Sequence, residues 1–131
     1  MDETVIKFYR KLLRSGFEYA GSLENPSIFL DSIGEKIFIC GHVGRDYMHI
    51  YINVRNDHIV EIKYLCSCDP TANVVVEILC SLVKGLSLAE AASLTEEAFI
   101  RVLGSTDEEF LKKSRSIIEL LKRGINRYQI N

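Results

Sequence analysis

The sequence predicts an α+β fold, in which helices pack on one face of a three-stranded antiparallel sheet. Residues 46–66 alternate apolar and polar side chains on both sides of a turn segment, which is typical of a half-exposed antiparallel hairpin. Residues 70–84 and 106–128 instead carry apolar side chains at helical spacing. With 131 residues, 47% of them hydrophobic, the chain has the size and composition of one domain with a normal core.

The first part of the chain is predicted to form a helix and then a strand. Residues 2–14 place apolar side chains at helical spacing, so we expect an amphipathic helix there. Turn-forming residues at 24–26 and 32–34 then punctuate a short apolar segment. Residues 36–40 are interpreted as the first strand, which ends at Gly41.

The next two strands are predicted from alternation around a turn. Residues 46–54 form a strand whose apolar face consists of Met48, Ile50, Ile52 and Val54. A hairpin turn at residues 55–58 leads into the third strand, which runs to Cys66. We expect Val60, Ile62, Tyr64 and Cys66 to share one face of that strand.

The second half of the chain is predicted to be helical. Residues 70–84 are apolar around most of the helix circumference, which implies burial against the sheet, and Gly85 ends that helix. Capping boxes at residues 87–90 and 106–109 predict that a short helix and a long C-terminal helix, residues 106–128, begin there.

A Cys-x-Cys pair, Cys66 and Cys68, falls where the third strand passes into a helix. Asp69 is a good N-cap and Pro70 suits the first helical position, so the helix N-terminus lies close to both sulfurs. This position lowers the pKa of a thiol and favours the thiolate, the form that binds metal or attacks sulfur. The motif is not specific for one function, and the alternative is two small, half-buried residues at a strand end.

Composition and charge argue against membrane and nucleic-acid partners. The first residues lack the basic and then apolar pattern of a signal peptide, and charges interrupt the longest apolar runs. We therefore expect a soluble, cytoplasmic protein with reduced cysteines and no membrane partner. The formal net charge of −2 gives no electrostatic reason for nucleic acid to be a partner.

The order of motifs resembles the iron-sulfur cluster assembly scaffold family of the IscU/NifU N-terminal type, within the SufE/NifU superfamily. The most specific match is residues 64–68 (Tyr-Leu-Cys-Ser-Cys), opening a helix that ends in residues 83–88 (Val-Lys-Gly-Leu-Ser-Leu). Residues 44–46 (Gly-Arg-Asp) enter a strand as the family's Cys-Gly-Asp motif does, and residues 127–128 (Arg-Tyr) match the family's closing helix. Residues 21–23 (Gly-Ser-Leu) resemble its Gly-Ser-Phe segment.

The resemblance implies a site of three cysteines and an aspartate that holds a cluster, or zinc in the isolated protein. This chain departs from that pattern, because Gly44 stands where the first cysteine belongs and Cys40 lies four residues upstream as its substitute. Lys112 and Lys113 align with the family's His-Cys pair, so the third cysteine is absent. A lysine at that position would stabilise a nearby thiolate without binding metal.

We expect Cys40, Cys66 and Cys68, with Asp46 or His42, to bind zinc, iron or a cluster. Cys66 and Cys68 are the residues expected to hold the cluster. Two other hypotheses stay open: a sulfur-transfer protein that accepts a persulfide on Cys66 or Cys68, and a metal-free interaction module that partners a cysteine desulfurase.

The sequence and the resemblance also give expectations for the remaining candidate residues and for the partners. Cys80 is expected in the core, and neither His49 nor His58 is a strong ligand candidate. A pairing of Cys40 with His42 as an enzyme nucleophile has little support, and the chain carries no phosphate-binding loop or other enzyme signature. The implied partners are a cysteine desulfurase and iron-sulfur acceptor proteins, for a non-enzymatic monomer or weak homo-oligomer.

Overall fold

The computed structural model describes residues 2–41 and 45–130, which form five helices and three strands. In chain order the elements are α1 (Glu3–Ser15), β1 (Ile28–Asp31), β2 (Met48–Arg55), β3 (His58–Cys66), α2 (Pro70–Val83), α3 (Leu88–Ala92), α4 (Glu96–Leu103) and α5 (Glu108–Ile130). No helix in the described ranges is both long and apolar enough to cross a membrane.

The sheet has the order β1-β2-β3, with both pairs antiparallel, and this confirms the predicted fold class. Its inner face is buried beneath the helices and consists of Ile28, Leu30, Met48, Ile50, Ile52, Ile59, Ile62 and Tyr64. Its outer face carries an aromatic row in which Phe29 contacts His49 and Tyr51, and Tyr47 contacts His49. The predicted division of β2 into apolar and polar faces is therefore correct.

The first strand was predicted in the wrong place, because residues 36–40 are not a strand. Ile28–Asp31 pairs with β2 instead. Ser32 then starts a turn in which its hydroxyl accepts a hydrogen bond from the Met48 backbone, and Lys36 has a positive φ of 57°. Ile37 and Ile39 are buried on either side of exposed Phe38, so residues 36–39 keep a strand-like alternation without a strand partner.

The hairpin between β2 and β3 follows the prediction at its turn but not along the whole of β3. Asn56 and Asp57 both have positive φ, 52° and 61°, as a two-residue turn with the right twist requires. A register shift after Asn53 then pairs Val54 with Ile59. Ile59 is consequently buried and Val60 exposed, so Val60 was assigned to the wrong face.

Helix α2 begins as predicted, because the Asp69 side chain accepts a hydrogen bond from Ala72 N at 2.8 Å and Pro70 is its first residue. The Ser87–Glu90 capping box is also present. The box predicted at residues 106–109 is not the cap of α5, since the Asp107 carboxylate accepts from Phe110 N at 3.1 Å. Helix α4, which ends at Gly104 with a φ of 78°, was not predicted.

Candidate metal and thiol site

Three of the four cysteines meet at the end of β3. Cys66 and Cys68 are joined by a disulfide bond, and the Cys40 sulfur lies 3.6 Å from the Cys68 sulfur. Cys66 is the last residue of β3, and Cys68 is two residues before α2 begins. The structure brings these three residues close together, and the disulfide differs from the reduced cysteines that we expected.

The local geometry is compatible with such a bond. The Cα atoms of Cys66 and Cys68 are 5.3 Å apart, within the range that a disulfide spans. The prediction of reduced thiols was based on the expected compartment, which says nothing about how close two cysteines lie. The spacing of one residue alone did not fix this distance, because it depends on how the chain turns after β3.

Tyr47 holds Cys40 and the Cys-Ser-Cys turn together through its backbone. The Cys40 thiol donates to the Tyr47 carbonyl at 3.4 Å. Ser67 N donates to the same carbonyl at 3.0 Å, and Tyr47 N donates to the Ser67 hydroxyl at 2.8 Å. A single residue just before β2 therefore positions the Cys40 sulfur against the two cysteines that flank Ser67.

Two carboxylates border the sulfurs. A Cβ atom on Gly41 would lie 3.5 Å from an oxygen of Asp69 and 3.6 Å from an oxygen of Asp46, so both side chains come close to the backbone next to Cys40. Arg45 pairs with Asp46 at 3.9 Å. Asp46 is thus close to the backbone next to Cys40. His42, the alternative ligand, falls outside the described residues.

Lys113 reaches into the same site from α5. Its ammonium group donates to the Ile39 carbonyl at 2.6 Å and to the Asp69 carboxylate at 3.3 Å. Its side chain is only 13% exposed. Lys113 is therefore part of the site, as a cation that ties α5 to the residues on each side of the sulfurs.

The surroundings disfavour the thiolate of Cys40. Burial raises the pKa of Cys40 to about 11, and the Asp69 and Asp46 carboxylates add to the rise, while the Lys113 ammonium lowers the pKa in part. The expected effect of a lysine on a nearby thiol has the predicted direction but is outweighed. The lowered pKa expected for Cys66 or Cys68 stays a prediction, because both are in the disulfide and do not titrate.

The other sequence-predicted positions lie away from the sulfurs or in the core. Cys80 is fully buried in α2, and burial raises its pKa, as expected for a core cysteine. His49 pairs with Asp31 at 3.5 Å on the outer sheet face. His58 contacts the Asn56 carbonyl at 2.8 Å in the hairpin turn.

One buried polar group was not predicted. Glu77, in the middle of α2, accepts hydrogen bonds from the Tyr64 hydroxyl at 2.8 Å and from Tyr19 N at 3.3 Å. Burial raises the pKa of its carboxyl group. Because both donors come from segments that α2 packs against, Glu77 joins the residues around Tyr19 and β3 to the helix, and we assign it a structural role.

A cavity of about 760 Å³ lies elsewhere, between β1 and the end of α5. Its lining consists of Ser27, Ile28, Phe29, Asp57, Gly124, Arg127, Tyr128 and Gln129. The lining of this cavity includes none of the sulfurs, so the cavity and the cysteine site are separate.

In this state the site does not present a complete set of ligands. Across the ranges 2–41 and 45–130, no three His, Cys, Asp or Glu side chains are grouped so as to hold a metal ion. In the Cys66–Cys68 disulfide the sulfurs are not thiolates, and thiolates are the ligands that zinc and iron clusters use.

Comparisons with known proteins agree with the fold described above. The profile of NifU-like N-terminal domains matches residues 20–131. The chain belongs to this family. A nitrogen-fixing NifU-like N-terminal domain from Brucella abortus superposes with a TM-score of 0.64 at 11% identity, covering 99% of this chain and 94% of that one.

A second solved structure gives the same fold. A proposed iron-sulfur cluster assembly scaffold protein for the SUF system from Fervidobacterium islandicum AW-1 has a TM-score of 0.65 at 13% identity. The match covers 95% of this chain and 96% of that one. No curated protein matches the chain significantly. At such low identities the likeness to solved structures concerns the fold alone.

Proposed function

We propose that this NifU-like domain is an iron-sulfur cluster assembly scaffold, which binds iron, zinc or a cluster through an altered cysteine set. The observation that carries the proposal is the contact of 3.6 Å between the sulfurs of Cys40 and Cys68, with Cys66 bonded to Cys68. Membership of the family and the likeness to a proposed SUF scaffold support it.

The proposed ligands are Cys40, Cys66, Cys68 and Asp46. Lysine replaces the family's third cysteine, but the doubled cysteine at the end of β3 restores the number of thiols to three. Thiolates are soft ligands that suit zinc, iron and iron-sulfur clusters. Asp46 lies beside Gly41, next to Cys40, and would supply an oxygen ligand.

Binding requires that the disulfide first be reduced. An external dithiol would transfer two electrons and two protons to the Cys66–Cys68 bond and become a disulfide itself. The cytoplasm, the location that we propose, maintains such reductants. We propose that the chain acts there as a carrier rather than an enzyme, with a cysteine desulfurase and iron-sulfur acceptor proteins as partners.

The test is a titration of the anaerobically reduced protein with Co²⁺, followed by competition with Zn²⁺. We expect one tightly bound ion with sulfur-to-cobalt charge-transfer absorption. Cys40→Ser, Cys66→Ser and Cys68→Ser should each weaken binding by at least about 10-fold, a loss seen even for supporting residues of metal sites. Cys80→Ser is the matched control and should bind as the wild type does, because Cys80 is in the core.

Failure of the reduced wild type to bind metal, or a Cys40→Ser variant that binds equally well, would contradict this ligand set. The second candidate is then sulfur transfer, which the pairing of Cys66 and Cys68 beside the N-terminus of α2 favours. In that case one of these thiolates takes the terminal sulfur of a desulfurase persulfide and releases the desulfurase thiolate. Peptide 64–84 would gain the mass of one sulfur atom in the wild type.

A further inference from the structure

We infer that Cys40, Cys66 and Cys68 form an intramolecular thiol–disulfide relay, in which the Cys40 sulfur attacks Cys68 and releases Cys66. This activity goes beyond metal binding and needs no metal. The Cys40 thiol loses its proton to solvent, its sulfur bonds to Cys68, and the Cys66–Cys68 bond breaks. Cys66 leaves as a thiolate and takes up a proton, so the exchange needs no external oxidant or reductant.

The contact between sulfurs sets the direction of the exchange. Cys40 lies 3.6 Å from Cys68, and a disulfide bond is about 2.05 Å long, so the two sulfurs need to approach by only roughly 1.5 Å. Cys68 is thus the sulfur poised for attack, and Cys66 is the leaving group. Both linkages cannot exist at once, since Cys68 forms one bond at a time.

The backbone keeps the attacking sulfur in place. Tyr47 bonds to both Cys40 and Ser67, so the nucleophile and the Cys-Ser-Cys turn share one anchor. Lys113 holds the Ile39 carbonyl, which precedes Cys40 in the chain. Positioning of this kind gives an intramolecular reaction a high effective concentration, which offsets the small thiolate fraction of buried Cys40.

The exchange moves the free thiol to a more accessible place. Cys40 is only 8% exposed and holds the free thiol when Cys66 and Cys68 are bonded. Cys66 is half-buried at the end of β3 and holds the free thiol after the exchange. The relay therefore converts an oxidised protein with a buried thiol into one that offers a thiol to reagents in solvent.

Peptide mapping can distinguish the two oxidised forms. Trypsin releases Cys40 in peptide 37–45, and Cys66, Cys68 and Cys80 together in peptide 64–84. A Cys66–Cys68 bond lies within the second peptide, whereas a Cys40–Cys68 bond joins the two. Oxidised, metal-free wild type is incubated with iodoacetamide, which alkylates free thiols as they appear. The protein is then digested, and the peptides are analysed by mass spectrometry.

We expect the joined peptides and alkylated Cys66 to accumulate together, at the same rate. Cys40→Ser, oxidised in the same way, should keep the Cys66–Cys68 bond and leave Cys66 unlabelled. Cys80→Ser is the matched control and should behave as the wild type does. Wild type that never forms joined peptides, or Cys40→Ser that labels Cys66 equally fast, would overturn the relay.

A second pair of variants tests which sulfur is attacked. Reduced Cys66→Ser, oxidised with glutathione disulfide, should join Cys40 to Cys68 about 10- to 100-fold faster than Cys68→Ser joins Cys40 to Cys66, since small misplacements cost this much. Equal rates would overturn the assigned order. Because these assays contain no metal, the relay and the proposed metal site can fail independently of each other.

Discussion

Lys113 is a mostly buried cation that connects the segments around the sulfurs. Its ammonium group lies in the site, bonded to the Ile39 carbonyl and paired with Asp69, and its side chain is 13% exposed. In this way the cation links α5 to the two segments that carry Cys40 and Cys68. Its carboxylate partner also caps α2, so the same contact stabilises the start of that helix.

Replacing Lys113 with Met tests this role at the scale of one residue. The change keeps a similar apolar stem but removes two hydrogen bonds from a charged donor, so we expect the free energy of unfolding to fall by about 1.5–3 kcal/mol. Urea denaturation of the wild type and the variant measures this change in the free energy of unfolding. Lys112→Met is the matched control, since Lys112 is the exposed neighbour, and equal effects of both substitutions would show that the site contacts of Lys113 contribute nothing.

The sequence indicated which cysteines lie close together, but it did not indicate their chemical state. Cys66 and Cys68 are fixed at the strand–helix junction by the alternation of β3 and by the Asp69 cap, both of which are local signals. The approach of Cys40 came from the resemblance to the scaffold family. The disulfide and the anchoring by Tyr47 depend on distances between segments, and neither residue spacing nor alternation encodes these distances.

At the scale of elements, the sequence-based predictions were wrong where the pattern of buried side chains did not match the strand pairing. Residues 36–39 bury alternate side chains but have no strand partner, whereas the true first strand, Ile28–Asp31, has only four residues. Such a short run carries little periodicity. In β3, a single bulge moved Ile59 into the core in place of Val60, because one extra residue exchanges the faces of a strand.

The packing of α5 on β1 depends on a glycine. A Cβ atom on Gly124 would overlap Leu30 Cδ2 and come within 3.2 Å of Ile28 Cγ2. Leu30 is only 1% exposed, so its side chain has little room to move away. The absence of a side chain at residue 124 therefore lets the long C-terminal helix lie directly on the edge strand.

Gly124→Ala should lower the free energy of unfolding by roughly 1–2 kcal/mol. Overpacking costs about 1–3 kcal/mol, and the better helix propensity of alanine returns up to about 1 kcal/mol. Asn126→Ala, at an exposed position of the same helix, is the control. In a protein that already carries Leu30→Val, Gly124→Ala should lower the free energy of unfolding much less. An equal loss in both backgrounds would mean that the overlap with Leu30 is not the source of the strain.

At the scale of the whole molecule, α2 is the element around which the others assemble. It contacts β3 on one side and α1, α4 and α5 on others, and ten of its residues are buried. Cys80 lies on this helix with no exposed surface. Each of these elements covers a different part of α2, so we expect that only global unfolding exposes the Cys80 sulfur.

A variant with Cys80 as its only cysteine, made by Cys40→Ser, Cys66→Ser and Cys68→Ser, tests this arrangement. Burial raises the pKa of Cys80, so the folded protein offers no thiolate to a thiol reagent. The free energy calculated from the rate of labelling should equal that of urea unfolding and fall with the same slope, about 1–3 kcal/mol per molar urea.

A variant that keeps only half-buried Cys66 should label at a rate nearly independent of low urea concentrations. Labelling of Cys80 that shows the same independence would mean that α2 opens locally, and the core would then be a set of separable layers rather than one cooperative unit.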